Sequence, residues 1–351
     1  MSYITKPVAR HPKMPVNALG LTQRDYEGSM STLCAGCGHD SVTAALIQSF
    51  FELDLEPHLL AKLSGIGCSS KTPTYFVRDA HGFNAVHGRM PSIAAGANAA
   101  NKELLYVGIS GDGDSLSIGL GQFCHAVRRN VNMLYVLENN GVYGLTKGQF
   151  SASADIGSTS KGGVANRQGP IDSVGLALSL GATFVARSFS GDKAQLVPIL
   201  KAGLSHTGFA FVDVISPCVT FNDHKGSTKS YAHTRDHMHE VIQTDFVPLR
   251  AEIKTAYTEG SVKAVTMHDG SVVKLRKVNE DYDPSDRRGV LDYLGSVAAK
   301  GEIATGLLYL EESGGDMHEF ENTVDTPLVH IPYGKLCPGS AALDELQKEF
   351  R

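Results

Sequence analysis

Cys34 and Cys37 form a Cys-x-x-Cys pair in STLCAGCGHD, set among Gly36, Gly38 and His39. Two single cysteines lie far along the chain, Cys68 in SGIGCSSK and Cys218 in ISPCVTFND, each closely following an apolar run. A pair of this kind can close a redox disulfide, hold zinc or ligate an iron-sulfur cluster. A redox disulfide needs no third and fourth partner, and a zinc ribbon normally has two tight pairs. Four thiolates suit structural zinc or a [4Fe-4S] cluster, and spacing alone does not separate the two.

A second group of residues suits a metal diphosphate. The apolar run LLYVGIS (104–110) ends in Gly111, Asp112, Gly113 and Asp114, and VNMLYVLE (131–138) ends in Asn139 and Asn140. If both runs are strands of one sheet, Asp112 and Asn140 meet at the same edge. A carboxylate and an amide oxygen there can coordinate Mg²⁺, a hard ion that takes oxygen ligands and commonly bridges to phosphates. Gly113 lets backbone approach closely, and the N-terminus of the following helix offers free N–H groups to an anion. Taken alone, GDGD reads as a turn and NN as a loop. Together, each after an apolar strand and joined by one crossover helix, they favour the metal diphosphate.

The elements that must position these groups follow from periodicity. SVTAALIQSFFEL (41–53) has helical spacing, LLAKLS (59–64) reads as a short strand, and MPSIAAGANAA (90–100) reads as a helix. A helix is expected from Ser115 to about Arg129, a Gly- and Ser-rich loop over 151–168, a helix in IDSVGLALSL and a buried strand in FAFVDVIS (209–216). Strands alternating with helices predict an α/β fold with a parallel sheet flanked by helices, whose ligands bind at the carboxyl ends of the strands. Residues 1–30 read as an irregular N-terminal extension wrapping across a neighbouring surface, 31–225 as the site-bearing α/β domain and 226–351 as a C-terminal appended segment. The last contains a hairpin around HDG (268–270), the charged stretch NEDYDPSDRRG and a final helix, SAALDELQKEF.

Composition narrows the class. With 351 residues and 42% hydrophobic content the chain can bury a sizeable core. A net charge of −5 argues against a nucleic-acid partner, whose affinity rests on neutralising phosphates. No apolar run approaches the roughly 20 residues of a membrane span, and MSYITKPVARHPKMP lacks the apolar stretch of a signal peptide, so a cytoplasmic protein is expected. Six cysteines are too few for a disulfide scaffold in a chain of this length. The run His224, His233, His237 and His239 lacks nearby uncommitted cysteine and clear helical pairing, and reads as solvated rather than metal-binding.

The GDG and NN pair resembles the thiamine-diphosphate (TPP) motif, which implies a TPP-binding fold with Mg²⁺ on Asp112, Asn140 and the carbonyl of Val142. CAGCGH, GIGCSSK, HGR, GDGD and NNGVYGLTKGQ, in this order over about residues 30–225, resemble the β subunit of the 2-oxoacid:ferredoxin oxidoreductases. That resemblance implies one [4Fe-4S] cluster on Cys34, Cys37, Cys68 and Cys218. It leaves Cys124 as a packed thiol within a helix and Cys337 as an unliganded loop residue. It also implies a cofactor lining of Ile66, Gly67, Cys68, Ser69, His87, Gly113, Asp114, Gly144, Leu145 and Thr146. His87 is placed at the chemistry as well, with Lys71 and Lys147 on the substrate side. Ordinary readings for these groups are turns, a core histidine and solvated lysines.

The implied reaction is TPP-dependent oxidative decarboxylation of a 2-oxoacid with coenzyme A, with electrons passing through the cluster to ferredoxin, in either direction. 2-Oxoglutarate is favoured over pyruvate because GLTKGQFSASA resembles the 2-oxoglutarate enzymes. Rival readings are a non-oxidative TPP-dependent lyase and a zinc-stapled nucleotide-binding module. In the resembled enzymes a separate domain grips the aminopyrimidine ring of TPP. Since one diphosphate signature is present here, an α subunit and an α2β2 heterotetramer are expected.

Overall fold

The computed structural model describes residues 11, 13–159, 163–247, 262–266, 272–277, 282–311, 314–337 and 339–350. Leu60–Ser64 (β1) pairs in parallel with the edge strand His81–Asn84 (β2) and with Leu105–Gly111 (β3), which in turn pairs with Met133–Asn139 (β4). Val142–Tyr143 (β5) and Gln149–Phe150 (β6) form a small separate ladder beyond β4. Phe184–Phe189 (β7) and Phe209–Ile215 (β8) complete the parallel part, with β8 against β4 and β7 outside it. Met238–Val247 (β9), Val262–Thr266 (β10), Val272–Lys277 (β11) and Ile303–Leu310 (β12) continue the same sheet, giving the order β10-β11-β9-β12-β7-β8-β4-β3-β1-β2. The sheet is thus mostly parallel in its site-bearing half. It turns mixed where β12 runs antiparallel to β7, β11 to β9 and β10 to β11.

Central strands read as continuous apolar runs because helices cover both faces. Every residue of β4 and of β8 is buried. Helices Gly38–Glu52 (α1), Met90–Ala100 (α2), Leu120–Arg128 (α3), Ser173–Ser179 (α4), Lys193–Leu204 (α5), Tyr231–His237 (α6) and Arg287–Ala299 (α7) supply the flanking layers. On α3 the fully buried Phe123 stacks edge-on against Tyr135 of β4 and Phe211 of β8, with centroids 5.3 and 5.2 Å away. Burying such a ring stabilises by about 1.5–3 kcal/mol, so Phe123 is the main apolar anchor of this short helix. Asp172, Asp192 and Asp286 cap α4, α5 and α7 by accepting backbone N–H bonds, which fixes where those helices begin.

Several expectations need revision. The helix expected from Ser115 starts instead as a wide turn, Gly113–Ile118, in which Gly119 N–H donates to Asp114 O at 2.8 Å, five residues back. Regular α-helix begins only at Leu120. Periodicity does not signal β7, because Arg187 interrupts FVARSF, and it passes over β12, where Gly306 at φ 101° accompanies a register shift. Within the 1–30 segment Tyr26 is fully buried, its hydroxyl donating to Leu55 O at 2.7 Å and its ring edge-on to Phe51. β10 and β11 form the expected antiparallel pair, while residues 268–270 lie outside the described residues. Met317–Glu321 (α8) and Tyr333–Leu336 (α9) precede the expected final helix, Ser340–Lys348 (α10), which is exposed throughout. Among the described residues no helix is long and apolar enough to cross a membrane.

Candidate active site

β3 and β4 are hydrogen-bonded neighbours with Gly111 opposite Glu138, so the loops that follow them meet at one end of the sheet. Asp112 is buried there. Its Oδ2 accepts from Gly141 N–H at 2.9 Å, from Ser153 Oγ at 2.6 Å and from the Ser151 hydroxyl. Its Oδ1 accepts a long bond from Asn140 N–H at 3.4 Å and, among the described residues, is the less occupied oxygen, with capacity for a ligand. Burial raises the Asp112 pKa, opposed by the Ser151 and Ser153 hydrogen bonds. The Asn140 side-chain oxygen accepts from Val142 N–H at 3.0 Å, which turns the amide toward the same space. A buried carboxylate with one open oxygen, beside an amide oxygen and a carbonyl, is a donor set that suits a hard divalent cation.

Every expected cofactor-binding residue lines one cavity: Ile66, Gly67, Cys68, Ser69, His87, Asp112, Gly113, Asp114, Asn140, Val142, Gly144, Leu145 and Thr146. Tyr143 and Ile118 line it too, with no sequence signal to separate them from ordinary apolar residues. Asp114 has a bracing position. Its Oδ1 accepts from Gly88 N–H at 2.7 Å and its Oδ2 from Ser110 Oγ at 2.9 Å, tying the turn after His87 to β3. Gly65 presses on the same carboxylate, since a Cβ there would stand 1.8 Å from Asp114 Oδ2.

The four expected sulfur ligands line an adjoining cavity of about 170 Å³, together with Lys71, Asn140, Gly144 and Leu145. Cys37 is the N-cap of α1, Cys68 opens the 3₁₀ turn Ser69–Thr74, and Cys218 follows β8. Among the described residues no group of three or more His, Cys, Asp or Glu side chains closes around a single ion. The cysteines line a volume instead. Gly144 lines both cavities, as do His39, Cys68, Asn140 and Leu145, and a Cβ on it would meet Cys218 Sγ at 3.4 Å and Cys68 Sγ at 3.6 Å. Burial pushes the Cys37 thiol up to about 12, with Glu138, Cys218 and Cys68 adding to it, and burial with Cys218 raises Cys68. Burial, the main cause, favours the protonated thiols, so a cation bound there would have to displace their protons. Thr220 Oγ donates to Cys34 Sγ at 3.4 Å. Cys124 lies half-buried on α3 and Cys337 is exposed.

Glu138 carries no local motif and His39 closes CAGCGH, and the fold brings the two together. Glu138 Oε2 lies 3.6 Å from His39 Nδ1, a spacing that would suit an ion pair. Burial instead pushes Glu138 well above the usual carboxylate range and lowers His39 to about 4, so burial disfavours the charged form of each. His39 Nδ1 bonds Ser216 Oγ at 2.6 Å.

Among the residues expected at the chemistry, His87 lines the first cavity and Lys71 the second. Lys147 lines neither; it is exposed, in a left-handed turn at φ 82°. The histidine run also differs from expectation. His233 and His237 do pair on α6, stacked at 3.9 Å, because four residues make one helical turn. His239 Nε2 instead meets Tyr293 OH at 3.2 Å, and His224 Nδ1 meets Lys225 O at 3.1 Å.

Residues 65–214 match the family described as thiamine pyrophosphate enzyme, C-terminal TPP binding domain. The chain is 42% identical over 191 residues, 54% of its own length and 63% of the relative's, to 2-oxoacid:ferredoxin oxidoreductase subunit beta of Saccharolobus solfataricus. It is 35% identical over 192 residues to 2-oxoglutarate synthase subunit KorB of Methanocaldococcus jannaschii, covering 54% of this chain and 69% of that one. It thus spans less than two thirds of the Saccharolobus relative. A chain of the solved 2-oxoglutarate:ferredoxin oxidoreductase from Magnetococcus marinus, with 2-oxoglutarate, coenzyme A and succinyl-CoA bound, superposes with a TM-score of 0.70 and 29% identity, covering 89% of this chain and 91% of that one. With a TPP-binding domain matched over 65–214, a KorB subunit matched at 35% identity over 69% of its length and 89% of this chain superposed on the Magnetococcus structure, the chain belongs to the family of 2-oxoacid:ferredoxin oxidoreductase β subunits.

Proposed function

We propose that this chain is the TPP-binding subunit of an enzyme that oxidatively decarboxylates a 2-oxoacid in the presence of coenzyme A and delivers the electrons to ferredoxin. The observation that carries the reading is the lining that the diphosphate cavity shares, at Gly144 among others, with the cavity of the four cysteines. TPP supplies the electron sink that lets a 2-oxoacid lose CO₂, and an adjacent [4Fe-4S] cluster supplies one-electron transfer. A non-oxidative lyase leaves the cysteine cavity without a role.

Within this reading Asp112 Oδ1, the Asn140 side-chain oxygen and the Val142 carbonyl hold Mg²⁺ on the diphosphate. Gly113 admits the phosphates close to backbone, and a Cβ there would stand 2.4 Å from the Tyr143 ring. Cys34, Cys37, Cys68 and Cys218 hold the cluster. His87, on the exposed rim, contacts the cofactor, and Lys71 pairs with a substrate carboxylate. Lys147, on the exposed loop, is assigned the same substrate-side role. 2-Oxoglutarate is the favoured substrate and pyruvate the alternative. The KorB relatives are named for 2-oxoglutarate, and the Magnetococcus structure contains it. The remaining half of the TPP site comes from an α subunit, in an α2β2 particle.

The test is anaerobic. The chain, assembled with its partner, should contain about four irons per β chain and reduce ferredoxin when 2-oxoglutarate and coenzyme A are both present. Stoichiometric zinc without iron, or CO₂ release independent of an electron acceptor, would refute the oxidoreductase reading. Faster turnover with pyruvate would reverse the substrate assignment.

A further inference from the structure

Asp112 is braced from a direction that the GDG and NN residues do not explain. Asp213, on β8 and 1% exposed, sits directly opposite Arg187 of β7 in the strand register. Its Oδ2 accepts from Arg187 Nε at 2.9 Å and from Ser173 Oγ at 3.0 Å, while Arg187 Nη2 donates to Asp172 Oδ1 at 2.9 Å. In each of these contacts Asp213 is the acceptor, and its ion pair with Arg187 fixes the plane of the carboxylate. Asp213 Oδ1 is taken by Asn139 Nδ2 at 3.0 Å. That contact fixes the orientation of the amide, whose oxygen must face the other way. There Ser153 Oγ lies 2.9 Å from that oxygen and 2.6 Å from Asp112 Oδ2, so its single proton is shared between the two acceptors and holds Ser153 between them. A chain of contacts therefore runs from three central strands to the carboxylate, Arg187 to Asp213 to Asn139 to Ser153 to Asp112.

We propose that Asn139, Asp213 and Ser153 are positioning residues that hold Asp112 with Oδ1 directed at the divalent cation, which gives the first asparagine of the NN pair a role distinct from that of the second. The inference rests on the reading that Asp112 ligates that cation. Three hydrogen-bond donors on Oδ2, Gly141 N–H and the two serine hydroxyls, hold that oxygen away from the metal. Ser151 and Ser153 sit on a loop and cannot define the angle alone. The ion pair between β7 and β8 supplies a rigid base because both strands lie within the sheet.

The test measures metal binding directly in the assembled enzyme, as the Mg²⁺ concentration that half-saturates TPP binding and as the EPR spectrum of Mn²⁺ placed in the same site. Asn139→Ala and Ser153→Ala should each raise that concentration about 10- to 100-fold, the range seen when partners of metal ligands are removed. Ser153→Thr should restore it. The double variant should be no weaker than the weaker single one, because both act through one chain of contacts. If Asn139→Ala does not fold, the Ser153 pair carries the test. Unchanged Mg²⁺ dependence in Ser153→Ala, or effects that multiply in the double variant, would overturn the positioning chain while leaving Asp112 as ligand. A wild-type enzyme that binds TPP equally well without divalent cation would overturn the ligand reading, and the positioning chain with it.

Discussion

Gly88→Ala should disable the cofactor cavity without touching any ligating atom. Gly88 has φ 69°, and a Cβ on it would stand 2.6 Å from both the Cα and the N of Gly119 and 2.9 Å from the Ile118 carbonyl carbon. Those are backbone atoms, so no side chain can rotate away. A non-glycine residue in the left-handed region costs about 1–2 kcal/mol, and forcing a methyl into packed structure costs about 1–3 kcal/mol more. The expected destabilisation is therefore about 2–5 kcal/mol, at the upper end if the 2.7 Å bond from Gly88 N–H to Asp114 is also lost. Denaturant unfolding reads the stability, and TPP titration at saturating Mg²⁺ reads the cavity. Gly96→Ala is the control: it lies in α2 with nothing within 4 Å of the added carbon, and should gain about 0.5–1 kcal/mol. A Gly88→Ala protein less than about 1 kcal/mol weaker than wild type, with unchanged TPP affinity, would refute the close-packing argument.

Cys68→Ala should lose the iron and weaken TPP binding, because Cys68 lines both cavities, whereas Cys124→Ala should retain full iron content. Lys71→Met should reduce kcat/KM for 2-oxoacids about 10-fold or more while TPP and iron remain bound, the loss expected when a charge-assisted hydrogen bond to substrate is removed; normal kinetics would return Lys71 to a solvated charge. Buried Lys62, whose Nζ donates to Phe76 O and Val77 O, has its pKa lowered by burial to about 8 from the usual 10.5. Between those values the unfolded chain binds the extra proton, so stability should rise with pH by up to about 3 kcal/mol, and Lys62→Met should flatten that rise in chemical denaturation. Expressed without its partner, the chain should bind TPP weakly and release no CO₂ from any 2-oxoacid; robust turnover by the single chain would remove the need for an α subunit.

Much of the site is legible because its determinants are local. An apolar run ending in GDGD, and another ending in NN, place a carboxylate and an amide at strand ends by pleat and period alone. The small residues around Cys34 and Cys37 mark a tight turn before α1. Asp114 shows the limit of this reasoning, for its position in the cavity follows from its neighbours in sequence. Its bonds to Gly88 and Ser110 depend on where a different loop passes.

The amino-acid sequence by itself determined the strand and helix alternation of the central unit, the candidate metal ligands Asp112 and Asn140, and the inventory of cysteines, since each depends on residue type and short spacing. Tertiary structure decided which remote groups meet. Pairing of β4 with β8 and of β8 with β7 brought Arg187 and Asp213 behind Asn139, and joined Cys218 to the cavity of Cys34, Cys37 and Cys68. The same long-range pairing buried Glu138 against His39 and set Gly144 in the lining of two cavities. No local propensity encodes such contacts. They arise from strand order and register, which the packing of the whole sheet selects.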